Sequence, residues 1–533
     1  MNEMMKFWPF AHSKPRATQQ EVMAWLENIP SHIRYILCEI PVGGGKSPIA
    51  INYSAFLSKY KGNAYILTPQ KILQTQYENS FDKSQLFSLY GKSNYHCPSK
   101  NTNCDIGSVL PPKCESCVFT SALNQGNAAP NLVLNYTLAL LLFKYVSGEK
   151  MIPKRNLIVF DECHTLENHL VEFNAIQIGE GRCKQFNLKY IEHKTSLQAL
   201  YWIENKYMPV VRDMYLKLKR QFEEIEGGYD GGSLSKQEME IVTKYKEVRE
   251  HLAAIEEFMS LGKEEIENRY VYIPDKTYFK FKELYGKNNF NQIVKPMADR
   301  FLFLSSTILN KEAFCYDLGI DPDEAVMIST ASEFPLKNRP IVYSPRMKMT
   351  YGWNNEEKKD ERRDMIDAII NTIEYHKDDN GIIHTGSFQV ASWLIENLQG
   401  KIPHKILHHL PNSGYDRGDV IKEFINESGE KKLLISPSIT EGLDLKDDLG
   451  RFAIFCKVPY PYLGDRWVAR RAEISKEWYN RQAIIAIIQG GGRICRSETD
   501  WGNTYIFDES FGGLYRFMKN KVPAWWSDSL TTI

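Results

Sequence analysis

The stretch that decides the fold lies near the start of the chain, where Arg34-Tyr-Ile-Leu-Cys-Glu-Ile40 runs into Pro41-Val-Gly-Gly-Gly-Lys-Ser47. The first segment is a short apolar run, which predicts a buried strand, and the apolar stretch from Ile49 to Leu57 predicts a helix. The segment between them is a glycine-rich turn. A strand, a turn and a helix in this order indicate a parallel α/β sheet covered by helices.

The glycine-rich turn has the composition of a phosphate-binding loop. Gly43, Gly44 and Gly45 let backbone N–H groups surround phosphate oxygens at the positive end of the following helix. Lys46 can reach the β- and γ-phosphates of ATP, and the Ser47 hydroxyl can ligate Mg²⁺. The strict pattern begins with a further glycine that this chain lacks, so a turn without a ligand is the alternative for the loop alone.

A pair of carboxylates follows another apolar strand. Asn156-Leu-Ile-Val-Phe160 runs directly into Asp161-Glu162-Cys163-His164. In a nucleotide hydrolase the first carboxylate would hold Mg²⁺ and the second would polarise the attacking water. Alone, such a pair is usually a solvated strand end. Combined with the phosphate-binding loop, it predicts ATP hydrolysis, with His164 beside the carboxylates.

Two arginines stand near the end of the chain. Gln489-Gly-Gly-Gly-Arg493-Ile-Cys-Arg496 follows the apolar helix predicted for Ala483 to Ile488. We expect Arg493 and Arg496, three residues apart, to lie on one helix face. Guanidinium groups suit the spread charge of a phosphoryl-transfer transition state, so these residues are candidate arginine fingers.

The remaining pattern divides the chain into blocks. Between about 175 and 290, apolar residues recur at helical spacing among many charges, which predicts a helical insertion. Strand patterns return on both sides of about residue 340, at Phe301–Leu304, Gly381–His384, Lys432–Ile435, Phe452–Phe455 and Thr504–Phe507.

Composition excludes several classes of protein. The 533 residues are 43% hydrophobic and 25% charged, which argues against intrinsic disorder. Lys+Arg and Asp+Glu number 66 each, so the chain is not a uniformly basic nucleic-acid coat protein. The start lacks a secretory signal, and the run from Leu132 to Val146 is too short and polar to cross a membrane. Ten cysteines in such a chain indicate a reducing compartment, which predicts a cytoplasmic protein.

Four cysteines form a cluster of their own. Cys97, Cys104, Cys114 and Cys117 fall within a short segment, whereas the other six are scattered. Four thiolates can hold a [4Fe–4S] cluster or one tetrahedral Zn²⁺, and the spacing alone does not choose between these ligands or exclude free thiols.

Together, these motifs resemble those of superfamily 2 helicases, and the four cysteines narrow the resemblance to the XPD/DinG group of iron–sulfur DNA helicases. Further segments resemble other elements of that group. The adenine-reading element is matched by Arg16-Ala-Thr-Gln19, motif Ia by Ala64–Pro69 through Gln76, motif III by Leu304–Thr307, and motif IV by Asn380–Ser387. Motif V is matched by Ser436–Leu445 with Glu441, Gly442 and Asp444, motif VI by Gln489–Arg496, and a proline-rich segment by Lys457–Pro461. Asp161–His164 matches the DEAH box with cysteine in place of alanine.

The resemblance implies an α/β fold with two RecA-like motor domains. It places motor domain 1 at residues 1–90, 122–175 and 290–338, a four-cysteine cluster domain at 91–121, a mainly helical Arch domain at 176–289, and motor domain 2 at 339–533. The position of the cysteines between motif Ia and the DEAH box favours a [4Fe–4S] cluster, with Zn²⁺ as the alternative because the spacing is compact.

The implied activity is that of a monomeric, ATP- and Mg²⁺-dependent helicase that translocates 5′→3′ on single-stranded DNA and acts on forks or junctions. The alternative is a DNA-stimulated ATPase clamp or remodelling switch that separates no strands. A helicase–nuclease is disfavoured because the motifs leave little chain at either end.

Two sets of residues in and near the cysteine segment have two interpretations each. The aromatic residues Tyr90, Tyr95 and Phe119 either stack on bases or pack around the cluster. The basic residues Lys92, Lys100 and Lys113 either meet phosphates or form a solvated face.

Overall fold

The computed structural model describes residues 3–10, 13–111, 114, 117–145, 152–229, 234–411, 413–426, 429–437, 445 and 447–533. Its strands are, in chain order, β1 (Tyr35–Glu39), β2 (Ala64–Thr68), β3 (Leu86–Ser88), β4 (His96–Cys97), β5 (Thr102–Asn103), β6 (Asn131–Asn135), β7 (Arg155–Asp161), β8 (Ile176–Gly179), β9 (Tyr270–Pro274), β10 (Tyr278–Glu283), β11 (Ala298–Ser305), β12 (Ala325–Ser329), β13 (Ile341–Met347), β14 (Gly381–His384), β15 (Lys405–His408), β16 (Lys432–Ser436), β17 (Phe452–Phe455), β18 (Asn503–Asp508) and β19 (Leu530–Thr532).

The helices are, in chain order, α1 (Ala17–Glu27), α2 (Lys46–Ser58), α3 (Lys71–Ser80), α4 (Cys104–Gly107), α5 (Val118–Ala128), α6 (Tyr136–Tyr145), α7 (Leu166–Phe173), α8 (Glu180–Gln185), α9 (Ser196–Trp202), α10 (Met208–Gly228), α11 (Lys236–Ser260), α12 (Lys263–Arg269), α13 (Lys287–Asn289), α14 (Lys311–Leu318), α15 (Lys359–Tyr375), α16 (Phe388–Leu398), α17 (Arg417–Ile425), α18 (Arg466–Ile474), α19 (Lys476–Gly491), α20 (Ser510–Met518) and α21 (Ala524–Ser527). Within the described residues, no helix is both long enough and apolar enough to cross a membrane.

The first lobe is built on a parallel sheet. Among the described residues its strand order is β12-β1-β11-β7-β2-β6-β3. Tyr35 and Leu37 of β1 enter the core on one face of the sheet, whereas Ile36 and Cys38 enter the core on the other face. A strand buried on both faces must be apolar along its whole length, which explains why β1 reads as a continuous apolar run.

The second lobe repeats this design. Its described strands lie in the order β15-β16-β14-β17-β18-β13-β19, and all neighbouring pairs are parallel. Ile382 and Ile383 of β14 again enter cores on opposite faces. The predicted α/β class, with two RecA-like parallel-sheet domains, is therefore confirmed.

The insertion between β7 and β11 is less helical than the sequence predicts. Helices α8–α12 make up most of it, but β8, β10 and β9 form an antiparallel sheet that packs into the same core. In β10 the side chains of Phe279 and Phe281 are buried while Lys280 and Lys282 are more exposed. This period-two alternation is the mark of a strand with one covered face, and the long helical pattern around it hides the signal.

The two lobes also meet through a buried charge cluster, formed by Glu167 of α7, Asp317 of α14, Arg471 of α18 and Arg481 of α19. Arg471 Nη2 lies 2.7 Å from Asp317 Oδ1, and its guanidinium also pairs with Glu167. Arg481 pairs with Asp317. Two arginines thus face two carboxylates, and burial together with the nearby Asp317 raises the pKa of Glu167 to about 7.

Sheet topology determines where the first functional residues meet. Strands β1, β11 and β7 are adjacent and parallel. Their carboxyl ends therefore deliver the glycine-rich loop, the Leu304–Thr307 segment and Asp161 to one edge of the sheet, which is where open α/β sheets bind ligands.

Candidate nucleotide site

The glycine-rich loop has the backbone that its composition predicts. Gly43 and Gly45 have φ angles of 75° and 73°, a region that favours glycine. A Cβ atom on Gly43 would lie 2.8 Å from the carbonyl oxygen of Arg496. Glycine is thus required there both for the turn and for the approach of the second lobe. Lys46 and Ser47 begin α2, so the loop ends at a helix N-terminus.

Arg16 and Gln19 support this loop from α1 and its N-cap. Arg16 Nη1 donates a hydrogen bond to the Gly43 carbonyl at 2.6 Å, and Gln19 Nε2 donates to the Gly45 carbonyl at 3.1 Å. Gln19 Oε1 accepts a hydrogen bond from the backbone N–H of Arg16 at 2.8 Å. The two residues therefore lie beside the glycine-rich loop and hold its backbone; their reading of adenine stays a prediction.

The two acidic residues after β7 have opposite electrostatic environments. Burial and the neighbouring Glu162 raise the pKa of Asp161 to about 6. Burial would also raise the pKa of Glu162, but Lys46 and His164 hold it well below its usual value. Lys46 Nζ lies 3.2 Å from Glu162 Oε1. Glu162 therefore stays ionised across the physiological pH range.

The backbone at Glu162 is strained. Its φ angle is 52°, in the left-handed region that residues with a Cβ atom seldom adopt. Such strain persists only where the surroundings enforce it, and it is concentrated at functional sites. Here the turn brings Glu162 back toward Lys46.

His164 and Gln489 join the lobes through hydroxyl groups at the end of β11. His164 Nδ1 lies 3.0 Å from Ser305 Oγ. Gln489 Nε2 donates to Thr307 Oγ1 at 2.7 Å and to Ser306 Oγ at 3.0 Å. The segment predicted to be motif III is therefore the physical link between the carboxylates and motif VI.

The arginines of motif VI differ in one respect from the prediction. Helix α19 ends at Gly491, so Arg493 and Arg496 lie beyond the helix and not on one helix face. Three successive glycines stop the helix because glycine has the largest backbone entropy to lose. Both arginines nevertheless reach the site: a cavity of about 310 Å³ is lined by Gly43, Gly45, Lys46, Ser47, Asp161, Glu162, His164, Gln489, Arg493 and Arg496.

The motif V candidates Glu441, Gly442 and Asp444 lie outside the described residues, while Ser436 ends β16 and is buried. In the motif IV segment, Gly386 has a φ angle of 63° and the Ser387 hydroxyl caps α16 through the N–H of Val390. These residues lie at the carboxyl edge of the second sheet.

Comparisons with known proteins agree with this site. Residues 369–529 match the family model "Helicase C-terminal domain", and residues 12–198 match the model "Type III restriction enzyme, res subunit". The ATP-dependent DNA helicase YoaA of Haemophilus influenzae is 21% identical over 530 residues, covering 86% of this chain and 80% of that protein.

Solved structures agree in fold. An XPD helicase structure superposes with a TM-score of 0.62 at 15% identity, covering 98% of this chain and 100% of that one. An XPD structure without ligand gives a TM-score of 0.59 at 16% identity, covering 97% and 100%. In its two matched segments and in its fold, the chain is similar to superfamily 2 helicases of the XPD/DinG group.

The four clustered cysteines are neighbours in space. Cys97 Sγ lies 3.6 Å from Cys114 Sγ, and Cys104 interacts with Cys117. Yet among the described residues no group of three or more histidine, cysteine or acidic side chains is arranged to hold a metal ion. The donor set fits a thiolate-bound metal centre, while the sulfurs form two pairs and no complete ligand sphere.

The aromatic and basic residues near the cysteines mostly contact other parts of the protein. Tyr95 and Phe119 contact each other edge to face at 5.7 Å, and Phe119 is buried in the core. The Lys100 ammonium is buried and donates to the carbonyls of Gly107 and Leu110, so it cannot meet a phosphate. Lys113 lies outside the described residues.

Sequence reasoning misses several buried residues that lie beside the site. Tyr77 donates to Asp161 Oδ2 at 3.1 Å, and Tyr136 donates to the Asp161 carbonyl at 2.7 Å. Glu39, buried at the end of β1, accepts hydrogen bonds from the N–H groups of Ile308 and Leu309, each at 2.8 Å. A charged residue at the end of an apolar strand is a sequence signal that singles out Glu39. Tyr77 and Tyr136 have no such signal.

Proposed function

We propose that this helicase uses ATP hydrolysis to translocate 5′→3′ on single-stranded DNA and to separate strands. The observation that carries the proposal is the cavity in which Lys46, Asp161 and Glu162 of the first lobe face Gln489, Arg493 and Arg496 of the second. A nucleotide bound there touches both lobes, so its hydrolysis can change their spacing. The name of YoaA, an ATP-dependent DNA helicase, supports DNA as the substrate.

Each residue of the site has a defined task in this proposal. The loop from Gly43 to Ser47 binds the phosphates, and Lys46 leaves Glu162 to contact the β- and γ-phosphates. Glu162, once freed from Lys46, accepts a proton from the attacking water. Arg493 and Arg496 approach the transferred phosphoryl group from the second lobe and stabilise its spreading charge.

Ser47 and Asp161 are the residues that would hold Mg²⁺. Both side chains line the same cavity and offer a hydroxyl and a carboxylate oxygen, the donors that Mg²⁺ prefers. Bound Mg²⁺ supplies charge neutralisation of the phosphates.

The phosphate-binding role is tested by Lys46→Ala. We expect DNA-stimulated ATPase activity to fall at least about 100-fold, because a charge directed at the phosphates is removed. The measurement is phosphate release with and without single-stranded DNA. DNA-stimulated turnover at the wild-type rate in this variant would contradict the assignment.

The path of the DNA is proposed from the contact between the two insertions. Lys246 Nζ of α11 lies 2.7 Å from Asp105 Oδ2 of the cysteine segment, and Leu110 packs into the core of the helical insertion. We propose residues 91–121 and 176–289 as inserted domains that enclose the strand against the first lobe. Duplexes with either a 5′ or a 3′ single-stranded tail test the direction: only the 5′-tailed duplex is expected to be unwound.

The same experiment separates the helicase from a clamp. A protein that hydrolyses ATP with DNA but displaces no strand from either duplex is a remodelling switch. Both kinds of protein need a nucleotide held between two lobes, so strand displacement is the deciding measurement.

We further propose that Cys97, Cys104, Cys114 and Cys117 hold a [4Fe–4S] cluster, which would tie the inserted segment together. Zn²⁺ is the second candidate because the 3.6 Å separation of the Cys97 and Cys114 sulfurs is close to the roughly 3.8 Å expected between two thiolates on one Zn²⁺ at about 2.3 Å. Visible absorption and iron content of anaerobically purified protein decide between them. A colourless preparation that contains zinc would contradict the iron–sulfur proposal, and Cys104→Ser should lose either metal.

A further inference from the structure

Tyr77 contacts one of the two side chains that would hold the metal ion. Its phenol O–H donates to Asp161 Oδ2 at 3.1 Å, and the phenol lies near Ser47. Ser47 belongs to the phosphate loop and Asp161 to the end of β7, and both side chains line the same cavity.

The phenol is itself held rigidly. Tyr77 is 2% exposed, and its ring stacks on Phe81 with centroids 5.8 Å apart. Helix α3, which carries Tyr77, is anchored by Gln74, whose Nε2 donates to the carbonyls of Leu89 and Val133. The hydroxyl therefore has a fixed position relative to the sheet.

The Asp161 carboxylate is fixed at both of its oxygens. Oδ2 accepts from Tyr77, while Oδ1 accepts from the backbone N–H of Glu162 at 3.1 Å. A carboxylate held in this way cannot rotate within the cavity lining without breaking a hydrogen bond in a buried site, which is costly. Partners of this kind orient a metal ligand without touching the metal.

We propose that Tyr77 is a positioning residue that fixes Asp161 for the divalent cation of the nucleotide site. This inference rests on the proposed ATPase function. It assigns Tyr77 no contact with nucleotide and no part in proton transfer.

The test compares Tyr77→Phe with Tyr136→Phe as a matched control. Tyr136 is as deeply buried and also donates a hydrogen bond to Asp161, but to its backbone carbonyl at 2.7 Å. Binding of Mn²⁺ in the presence of ADP, followed by the free-Mn²⁺ electron paramagnetic resonance signal, measures the metal site without hydrolysis. ADP binding in the presence of a chelator measures the phosphate loop alone.

We expect Tyr77→Phe to weaken Mn²⁺ binding by about tenfold or more, the usual effect of losing a residue that orients a metal ligand. Its chelator-treated affinity for ADP should stay at the wild-type value, and Tyr136→Phe should bind Mn²⁺ as the wild type does. Wild-type Mn²⁺ affinity in Tyr77→Phe overturns the inference.

The same experiment has two further outcomes, which can be distinguished from each other. Loss of the cooperative thermal melt in Tyr77→Phe assigns the hydroxyl to stability alone and also overturns the inference. A wild-type protein that binds neither ADP nor Mn²⁺ with ADP overturns the ATPase proposal, and this inference with it.

Discussion

At the nucleotide site, the described residues that line the cavity include three cations and two carboxylates, whereas the buried charge cluster contains two arginines and two carboxylates in direct contact. Both places join the lobes. The first keeps its charged groups around a space of about 310 Å³, and the second fills its space with aromatic rings, since Arg471 lies over Tyr285, Trp467 and Trp478.

The nucleotide site is a contact between the lobes that has room for a ligand, whereas the buried charge cluster is a contact that is already filled. The three cations that line this cavity can bind phosphates, so we expect the contacts of the nucleotide site to change with each ATP. In the buried charge cluster the arginines and carboxylates are already in direct contact. It can hold α18 and α19 against the first lobe while the cavity opens and closes, or it must break as a unit. Variants at the two contacts should therefore fail in different ways.

The largest expected effect is at the nucleotide site, in Arg493→Ala. Loss of a guanidinium that acts on the transition state should lower ATP turnover by about 10³-fold or more while nucleotide binding is kept. Single-turnover hydrolysis and binding of a fluorescent ATP analogue measure the two quantities. Hydrolysis at the wild-type rate would remove Arg493 from the mechanism.

The buried charge cluster should respond in stability. Arg471→Met leaves Glu167 and Asp317 with a single arginine, and breaking a buried pair in this way costs about 3–5 kcal/mol. The neighbouring Arg470 is exposed and pairs with Glu473 on the same helix, so Arg470→Met is a matched control expected to cost less than about 0.5 kcal/mol. Thermal melts measure both.

If Arg471→Met melts like the wild type but loses ATPase activity, the comparison is wrong, because the cluster would then serve catalysis. The four members of the cluster lie outside the set of described residues that line the nucleotide cavity. Activity measured well below the melting temperature should therefore be close to that of Arg470→Met.

The same contrast explains how much the sequence alone can predict. The phosphate loop and the acidic pair are local strings whose chemistry is contained in neighbouring residues, so the sequence is enough to single out Lys46, Asp161 and Glu162. Arg471 and Glu167 are far apart in the chain, and each alone is typical of a solvated helix. Only the packing of α18 against α7 reveals that Arg471 is buried and paired with the largely covered Glu167.

Other differences between the sequence-based prediction and the structure have similar causes. Arg493 and Arg496 line the cavity as predicted, but the prediction of a helix beneath them is wrong, because a spacing of three is helical only where the backbone permits it. The antiparallel sheet in the insertion is hidden by the longer helical pattern around it. Lys100 shows that a basic residue in a proposed DNA-binding segment can instead bind backbone carbonyls.

The smallest expected effect distinguishes the two carboxylates of the nucleotide site, Asp161 and Glu162, from each other. The pKa of Asp161 is raised to about 6, so its ionised form lowers the stability of the folded protein at pH above this value. Asp161→Asn should therefore stabilise the nucleotide-free protein at pH 8 by up to about 3 kcal/mol, since one pKa unit corresponds to about 1.4 kcal/mol. The pKa of Glu162 is lowered, so its ionised form adds stability that Glu162→Gln removes.

We therefore expect the two substitutions to change the melting temperature at pH 8 in opposite directions, and we expect both to abolish ATP turnover. The advantage of Asp161→Asn should shrink as the pH falls below about 6, because wild-type Asp161 then becomes protonated and loses its unfavourable charge. Thermal melts at pH 8 and pH 5 without nucleotide measure this. Two destabilised variants would mean that Asp161 is held by charge pairing as Glu162 is, and the site would then resemble the buried charge cluster more closely than its open cavity suggests.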